Sequence, residues 1–201
     1  MLGRQSSPPP RTDIPVLHEL PLDLVTPRLH LRIANVADAE PFFDHMRDPE
    51  MPRLMAWAAH ASIDETRAWL SRAADALAAG TDVLWAIELD GAIVGAIGLH
   101  LICWSAFALR LDRADLGYWI APVVWNRGLM TEAARAVTTW AFETLGLHKV
   151  FVQCVEANTG SRRVIEKLGF RFVGAAIDDV WRDGVWHTRL RYELLATEWR
   201  G

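Results

Sequence analysis

The sequence predicts a mixed α/β (α+β) domain, one central sheet with helices packed on it, and three observations predict it. Segments of period-two or β-branched character alternate with amphipathic segments of helical period along the chain. Three of the helical segments stop at a glycine (Gly80, Gly146 and Gly169), and two Asp-Gly pairs sit between apolar strands. The 201 residues, 51% hydrophobic and 23% charged, suit one core rather than two and need no disulfide staples.

Taken in order, residues 1–20 carry Ser6-Ser7-Pro8-Pro9-Pro10 and Pro15, bury little apolar surface, and predict a flexible proline-rich tail ahead of a single domain over 21–201. Met1 to Pro10 has no apolar stretch, so no signal peptide is expected. Arg28–Ile33 alternates as a first strand. Ala37–Arg47 and Ser62–Ala79 follow as helices. The second is opened by a Ser62/Glu65 capping box and carries Trp69, Leu70, Ala73 and Leu77 on one face.

Val83–Ile87 and the run from Ala92 form a hairpin around Asp90-Gly91. From Ala92 to Leu109 there is no Asp, Glu, Lys or Arg, a length that could cross a bilayer. Gly95, Gly98, His100 and Ser105 interrupt it and no basic cluster precedes it, so buried strands are expected instead. Asp115–Ile120 is a strand ended by Pro122. Gly128–Leu145 is a helix with Met130, Ala133, Val137, Trp140 and Ala141 on one side. Lys149–Val155 is a strand and Asn158–Leu168 a short helix. Phe170–Trp181 and Val185–Leu195 close the chain as a hairpin around Asp183-Gly184.

Charge and composition exclude several classes. A net charge of −4 and a pI near 6.0 argue against a nucleic-acid binder. Cys103 and Cys154 cannot build a disulfide framework, and neither they nor the seven histidines show metal-ligand spacing. Cys154 reads as a core residue and His148 as a helix-end residue. The expectation is a cytoplasmic protein without metal or membrane partner, a monomer or homodimer. Trp85, Trp119, Trp140 and Trp186 fall at core-facing places.

Chemistry concentrates in Gly117–Glu132, where a strand runs through Trp125-Asn126-Arg127-Gly128 into a helix. Unpaired N–H groups at such a helix start favour phosphate oxygens, Gly128 permits close approach, and Arg127 adds charge. An ordinary turn with a solvated Arg is the competing reading. No Lys-Ser/Thr follows the glycine, so this is no P-loop, and the three spaced glycines of a dinucleotide fingerprint are absent.

About thirty residues beyond that turn stands Asn158-Thr159-Gly160-Ser161-Arg162-Arg163-Val164-Ile165-Glu166-Lys167-Leu168-Gly169-Phe170. The combination resembles the GNAT acetyltransferase superfamily, and most closely its RimJ/RimL-like branch, which acts on ribosomal-protein N-termini. Thr26–Arg32, Trp125–Ala133, Glu143–Val150 and Asp183–His187 are similar to further landmarks of that branch, and the likeness spans about residues 22–199.

The resemblance implies a mostly antiparallel sheet of about seven strands with helices on both faces. Acetyl-CoA would lie between two splayed parallel strands, Asp115–Ile120 and Lys149–Val155. Backbone groups of Tyr118, Trp119 and Ile120 would meet the pantetheine arm. The N–H groups of Asn126, Arg127, Gly128, Leu129, Met130 and Thr131 would meet the pyrophosphate, with Met130 where many relatives have Gly or Ala. Asn158 and Ser161 would complete the site. An amide near Ile120 would hold the oxyanion.

By the same resemblance Asp115 stands where relatives carry an acidic base and would work through a water; otherwise it is a solvated carboxylate beside Arg110 or Arg113. Ile165 occupies the place of the family's tyrosine acid, leaving Ser161 as acid, or as a helix-start hydrogen bond to backbone. Met55, Trp57 and His60 would wall the acceptor pocket and Trp104–Arg110 its other side. Arg162, Arg163 and Lys167 are either a solvated face or a seat for the cofactor's 3′-phosphate.

The function implied is transfer of acetyl from acetyl-CoA to a primary amine by direct attack, with a protein N-terminus the acceptor in keeping with the branch. A small-molecule amine such as an antibiotic or polyamine is the enzymatic alternative, and a non-catalytic acyl-CoA sensor the alternative of another class.

Overall fold

Eight strands form one open sheet in the computed structural model, which describes residues 13–55 and 57–201. They are β1 (Leu24–Val25), β2 (His30–Ile33), β3 (Val83–Leu89), β4 (Ala92–Ala106), β5 (Leu109–Ile120), β6 (Lys149–Val155), β7 (Arg171–Arg182) and β8 (Val185–Leu195). Their order is β1-β2-β3-β4-β5-β6-β8-β7, and every neighbouring pair is antiparallel except β5–β6. The helices are α1 (Ala39–Met46), α2 (Ile63–Ala78), α3 (Leu129–Thr139) and α4 (Thr159–Lys167).

Strand β3 shows why helices lie on both faces. Val83, Trp85 and Ile87 point into a core shared with α3 and α4, while Leu84 and Ala86 point into a second core with Phe42 of α1 and Leu70 of α2. Both Asp-Gly turns form as expected, with Asp90 (φ 52°), Gly91 (φ 79°), Asp183 (φ 50°) and Gly184 (φ 78°) all left-handed.

Several elements depart from expectation. The sheet has one strand more than anticipated, because two-residue β1 is too short to leave a periodic pattern. The stretch expected to be tail is packed from Leu17, which is buried. Just beyond it, at the start of the expected domain, Trp140 Nε1 donates to Pro21 O (2.7 Å) and Trp85 Nε1 to Leu22 O (2.6 Å). Residues 1–12, with the triple proline, lie outside the described residues.

At the start of α2 the Ser62 hydroxyl makes no cap bond; Glu65 reaches one residue further and accepts from Ala61 N (2.9 Å). The helix expected to run to Leu145 loosens into a π turn over Trp140–Thr144, closed by Leu145 N to Trp140 O.

The charge-free run is β4, buried from Ile93 to Leu99 and paired with β5 as far as Ala106↔Leu109, with Leu101 exposed at a register shift and Phe107 exposed in the turn. No helix among the described residues is long and apolar enough to cross a membrane. Trp186 is a correction: it is 53% exposed and stacks edge-on against Trp181 (centroids 5.2 Å), because the ends of β7 and β8 outrun the pairing with β6.

Candidate active site

The parallel pairing of β5 with β6 runs from Arg113↔Lys149 to Leu116↔Val152 and stops, although both strands continue. Strand β5 stays with β4 as far as Ile120↔Gly95, and β6 stays with β8 as far as Val155↔Arg189, so a gap opens between them. Closeness on the β4 side requires glycine at 95: a Cβ there would sit 2.4 Å from Trp119 O.

Antiparallel pairing decides which amides face the gap. Ala121 N donates to Val94 O (2.7 Å), and bonding pairs alternate along the ladder, so Trp119 turns its N–H and C=O toward Ala96. Tyr118 and Ile120 turn theirs toward the gap. The Trp119 backbone is therefore committed to β4, which corrects its expected role, and its indole instead lines the other side of the site.

Beyond Ile120 the chain makes a 3-10 turn at Pro122–Val124, and Trp125 Nε1 closes it on Ile120 O (2.7 Å). Asn126 (φ 59°) and Gly128 (φ 76°) then bend the backbone into α3. Gly128 is the N-cap and brings no capping side chain. The first intrahelical bond joins Glu132 N to Gly128 O (3.1 Å), which leaves the N–H groups of Leu129, Met130 and Thr131 without helical partners. Their partial positive charge makes an anion seat.

That loop is braced from the N-terminal side. Glu132 accepts from Thr26 Oγ1 (2.7 Å), Arg28 N (3.0 Å) and Arg28 Nε (2.7 Å), while Arg28 also donates to Arg127 O (2.9 Å). Burial alone would raise the Glu132 carboxyl, but the Thr26 hydroxyl and the Arg28 guanidinium hold it below the usual carboxylate value. Thr26-Pro27-Arg28 was legible only as the start of a strand; its bracing of α3 joins residues over a hundred positions apart, which no local pattern reveals.

Helix α4 closes the gap's far side. Asn158 caps it, accepting from Ser161 N (3.0 Å) and donating to Leu54 O (3.4 Å). The Ser161 hydroxyl lies 3.0 Å from Tyr118 Oη. Burial holds the Tyr118 phenol well above its usual range and pushes the Cys154 thiol up to about 11, so both stay protonated at neutral pH.

The opposite wall is aromatic. Trp57 packs against Trp119 and His60 (6.1 Å each), and His60 lies 2.8 Å from Thr66 Oγ1 with burial lowering its pKa. Arg182 of β7 ties this segment down by donating to Pro52 O and Trp57 O. On the sheet floor between the walls stand His100 and Gln153.

These surfaces enclose one cavity of about 1140 Å³. It gathers Tyr118, Trp119, Ile120, Asn126, Gly128, Leu129, Met130, Thr131, Asn158 and Ser161 with Met55, Trp57 and His60. Arg163 and Lys167 line it too, whereas Arg162 turns to Glu166 (4.0 Å). Three expected residues are elsewhere. Arg127 offers its carbonyl to Arg28 rather than lining the cavity. Trp104 packs on the main core beneath Arg110 (5.6 Å). Asp115 sits behind Gln153, whose amide donates to Asp115 Oδ2 (3.0 Å); Arg110 pairs with Asp112, and Arg113 stacks on Phe151. Gln153 went unremarked in the sequence and His100 figured only as a break in the apolar run, since a lone residue in a strand gives no signal of what it faces.

Comparison with known proteins agrees with this geometry. Residues 28–171 match the model of the acetyltransferase (GNAT) domain. The chain is 37% identical over 116 residues to "Putative ribosomal N-acetyltransferase YdaF" of Bacillus subtilis, an alignment covering 56% of this chain and 58% of YdaF. Among solved structures, a probable acetyltransferase superposes with a TM-score of 0.79 at 26% identity, covering 88% of this chain and 98% of that one. Mycobacterium smegmatis RimJ in complex with CoA-disulfide does so with a TM-score of 0.76 at 25% identity, covering 88% and 87%. With the family model matching most of its length and the splayed strands and uncapped helix start in place, this chain belongs to the GNAT family of acetyltransferases.

Proposed function

We propose that the protein transfers an acetyl group from acetyl-CoA to a primary amine, and that the amine is a protein N-terminus. The observation that carries the reading is the gap between β5 and β6 opening directly onto the uncapped start of α3. The residues present fit the donor. Tyr118 and Ile120 face the gap with backbone groups for the pantetheine arm, and Asn126, Gly128, Leu129, Met130 and Thr131 line the cavity with backbone N–H groups for a pyrophosphate. A side chain at Gly128 would meet only Arg28, at 3.7 Å, so the approach to that backbone is open. Arg163 and Lys167 supply positive charge for a further phosphate.

Acetyl-CoA supplies an activated acyl carbon with a thiolate leaving group. The chain's residues meet the rest of the chemistry. The Tyr118 and Ile120 amides on the gap side are fixed donors for a developing oxyanion. Ser161, backed by Tyr118, is the hydroxyl that can protonate the departing sulfur. The incoming ammonium must lose a proton before it can attack; Asp115 and His100 stand opposite one another on β5 and β4 and are the carboxylate and imidazole on that side.

A protein N-terminus is favoured over a small amine because the cavity is large, about 1140 Å³, and its lining extends to Val180 of β7 and Arg189 of β8. The relatives named for ribosomal N-acetylation and RimJ point the same way. The test is thiol release from acetyl-CoA against N-terminal peptides and small amines, beside a calorimetric titration of acetyl-CoA. Release with peptides supports the reading; release with small amines alone transfers it to that class. Tight binding without release favours a sensor, and absence of binding defeats it.

A further inference from the structure

The strand position that the family resemblance offers for the base holds Asp115, yet the cavity is lined not by Asp115 but by its cross-strand neighbour His100. Its imidazole lies across two glycines. A Cβ at Gly98 would come within 2.8 Å of His100 Nε2 and displace the ring, and one at Gly117 would crowd Cδ2 at 3.1 Å, so both glycines make room for its seat. The Nδ1 edge is held from the other side by Asp82 Oδ2 at 3.2 Å. Asp82 is itself fixed, because its Oδ1 accepts from Leu101 N (3.0 Å) where the β4 register shifts and Leu101 adopts φ 51°. A carboxylate at Nδ1 selects the tautomer with the proton on Nδ1 and leaves the Nε2 lone pair free.

We infer that His100 is the catalytic base of this acetyltransferase, taking the proton from the incoming ammonium at Nε2, with Asp82 as its positioning residue. The inference rests on the proposed amine-acetylating function. The ammonium gives one proton to Nε2. The freed nitrogen lone pair forms the bond to the thioester carbon, and the C–S bond breaks with its electron pair on sulfur. The nitrogen's second proton ends on that sulfur, giving amide and thiol, and His100 returns its own proton to solvent.

The charged groups around the ring are Asp82 ahead of β3, Asp115 on β5 and Arg72 of α2, which shares with His100 a second, smaller cavity of about 210 Å³. From β6 comes the uncharged Gln153, which occupies the Asp115 carboxylate. Of these, only Asp82 bonds the ring.

The test measures thiol release against pH for the wild type, His100→Gln, Asp82→Asn and Asp115→Asn, with acetyl-CoA affinity measured alongside. The wild type should lose rate below an acidic limb. His100→Gln should abolish that limb and lower kcat/KM about 100-fold with acetyl-CoA affinity retained. Asp82→Asn should lower kcat with acetyl-CoA affinity retained, since the carboxylate that orients the ring through Nδ1 is lost. Asp115→Asn should keep the limb.

In the protein free of acetyl-CoA, nitrogen-15 shifts of the neutral ring should place the proton on Nδ1. A limb that survives in His100→Gln, a limb lost in Asp115→Asn, or a proton on Nε2 overturns the assignment while the acetyltransferase reading stands. A wild type that binds acetyl-CoA but acetylates no amine overturns both.

Discussion

Replacing Glu132 with Gln tests how the anion seat is held. The substitution keeps one acceptor oxygen for Thr26 and the Arg28 amide but removes the charge that faces Arg28 Nε at 2.7 Å and its terminal nitrogen at 2.6 Å. Hydrogen bonds to a charged partner contribute roughly 1.5–3 kcal/mol each. The Arg28 side chain is 45% exposed, so solvent screens part of this, and about 1.5 kcal/mol is the expected loss. For a domain of this size that corresponds to roughly 3–6 °C in Tm at pH 7.

The sign with pH follows from the direction of the shift. Glu132 is held below the usual 4.5, so its contribution is present above that value and fades as pH falls through the depressed one. Melts of wild type and Glu132→Gln should differ at pH 7 and converge on acidification, and acetyl-CoA should bind the variant more weakly at pH 7 because Arg28 no longer fixes the Arg127 carbonyl. Equal Tm values at pH 7, or a gap that persists at low pH, would refute the reasoning.

Other outcomes follow from single contacts. Gly95→Ala should destabilise the protein by about 3 kcal/mol in denaturant melts, since its Cβ would overlap Trp119 O at 2.4 Å. Gly128→Ala meets no such obstacle and should cost only about 1–2 kcal/mol for its positive φ, while weakening acetyl-CoA binding measured by calorimetry. Tyr118→Phe removes the partner of Ser161 and should lower kcat at unchanged acetyl-CoA KM, with about 1 kcal/mol of stability lost.

Much of this was legible in the chain because it is written locally. The Asp-Gly turns, the glycine at the helix start and the β-branched strands each carry their conformation in a few adjacent residues, and the uncapped helix start at Gly128 is written in the same local way. What escaped depends on registers. Whether Trp119 offers its amide or its indole is decided by pairing with Ala96. His100 is a lone residue in an apolar strand until Asp82, Gly98 and Gly117 are brought around it. The packing of Leu17 and the bracing of α3 by Arg28 are likewise contacts between distant segments. Trp186 was misplaced because alternation gives a residue's side of the sheet, not whether anything covers that side.

The most direct test of the central claim is continuous thiol release from acetyl-CoA by the purified protein across N-terminal peptides and small amines, with acetyl-CoA affinity measured on the same sample. The account predicts saturable binding and release that depends on an added peptide amine. Absence of acetyl-CoA binding would contradict it outright.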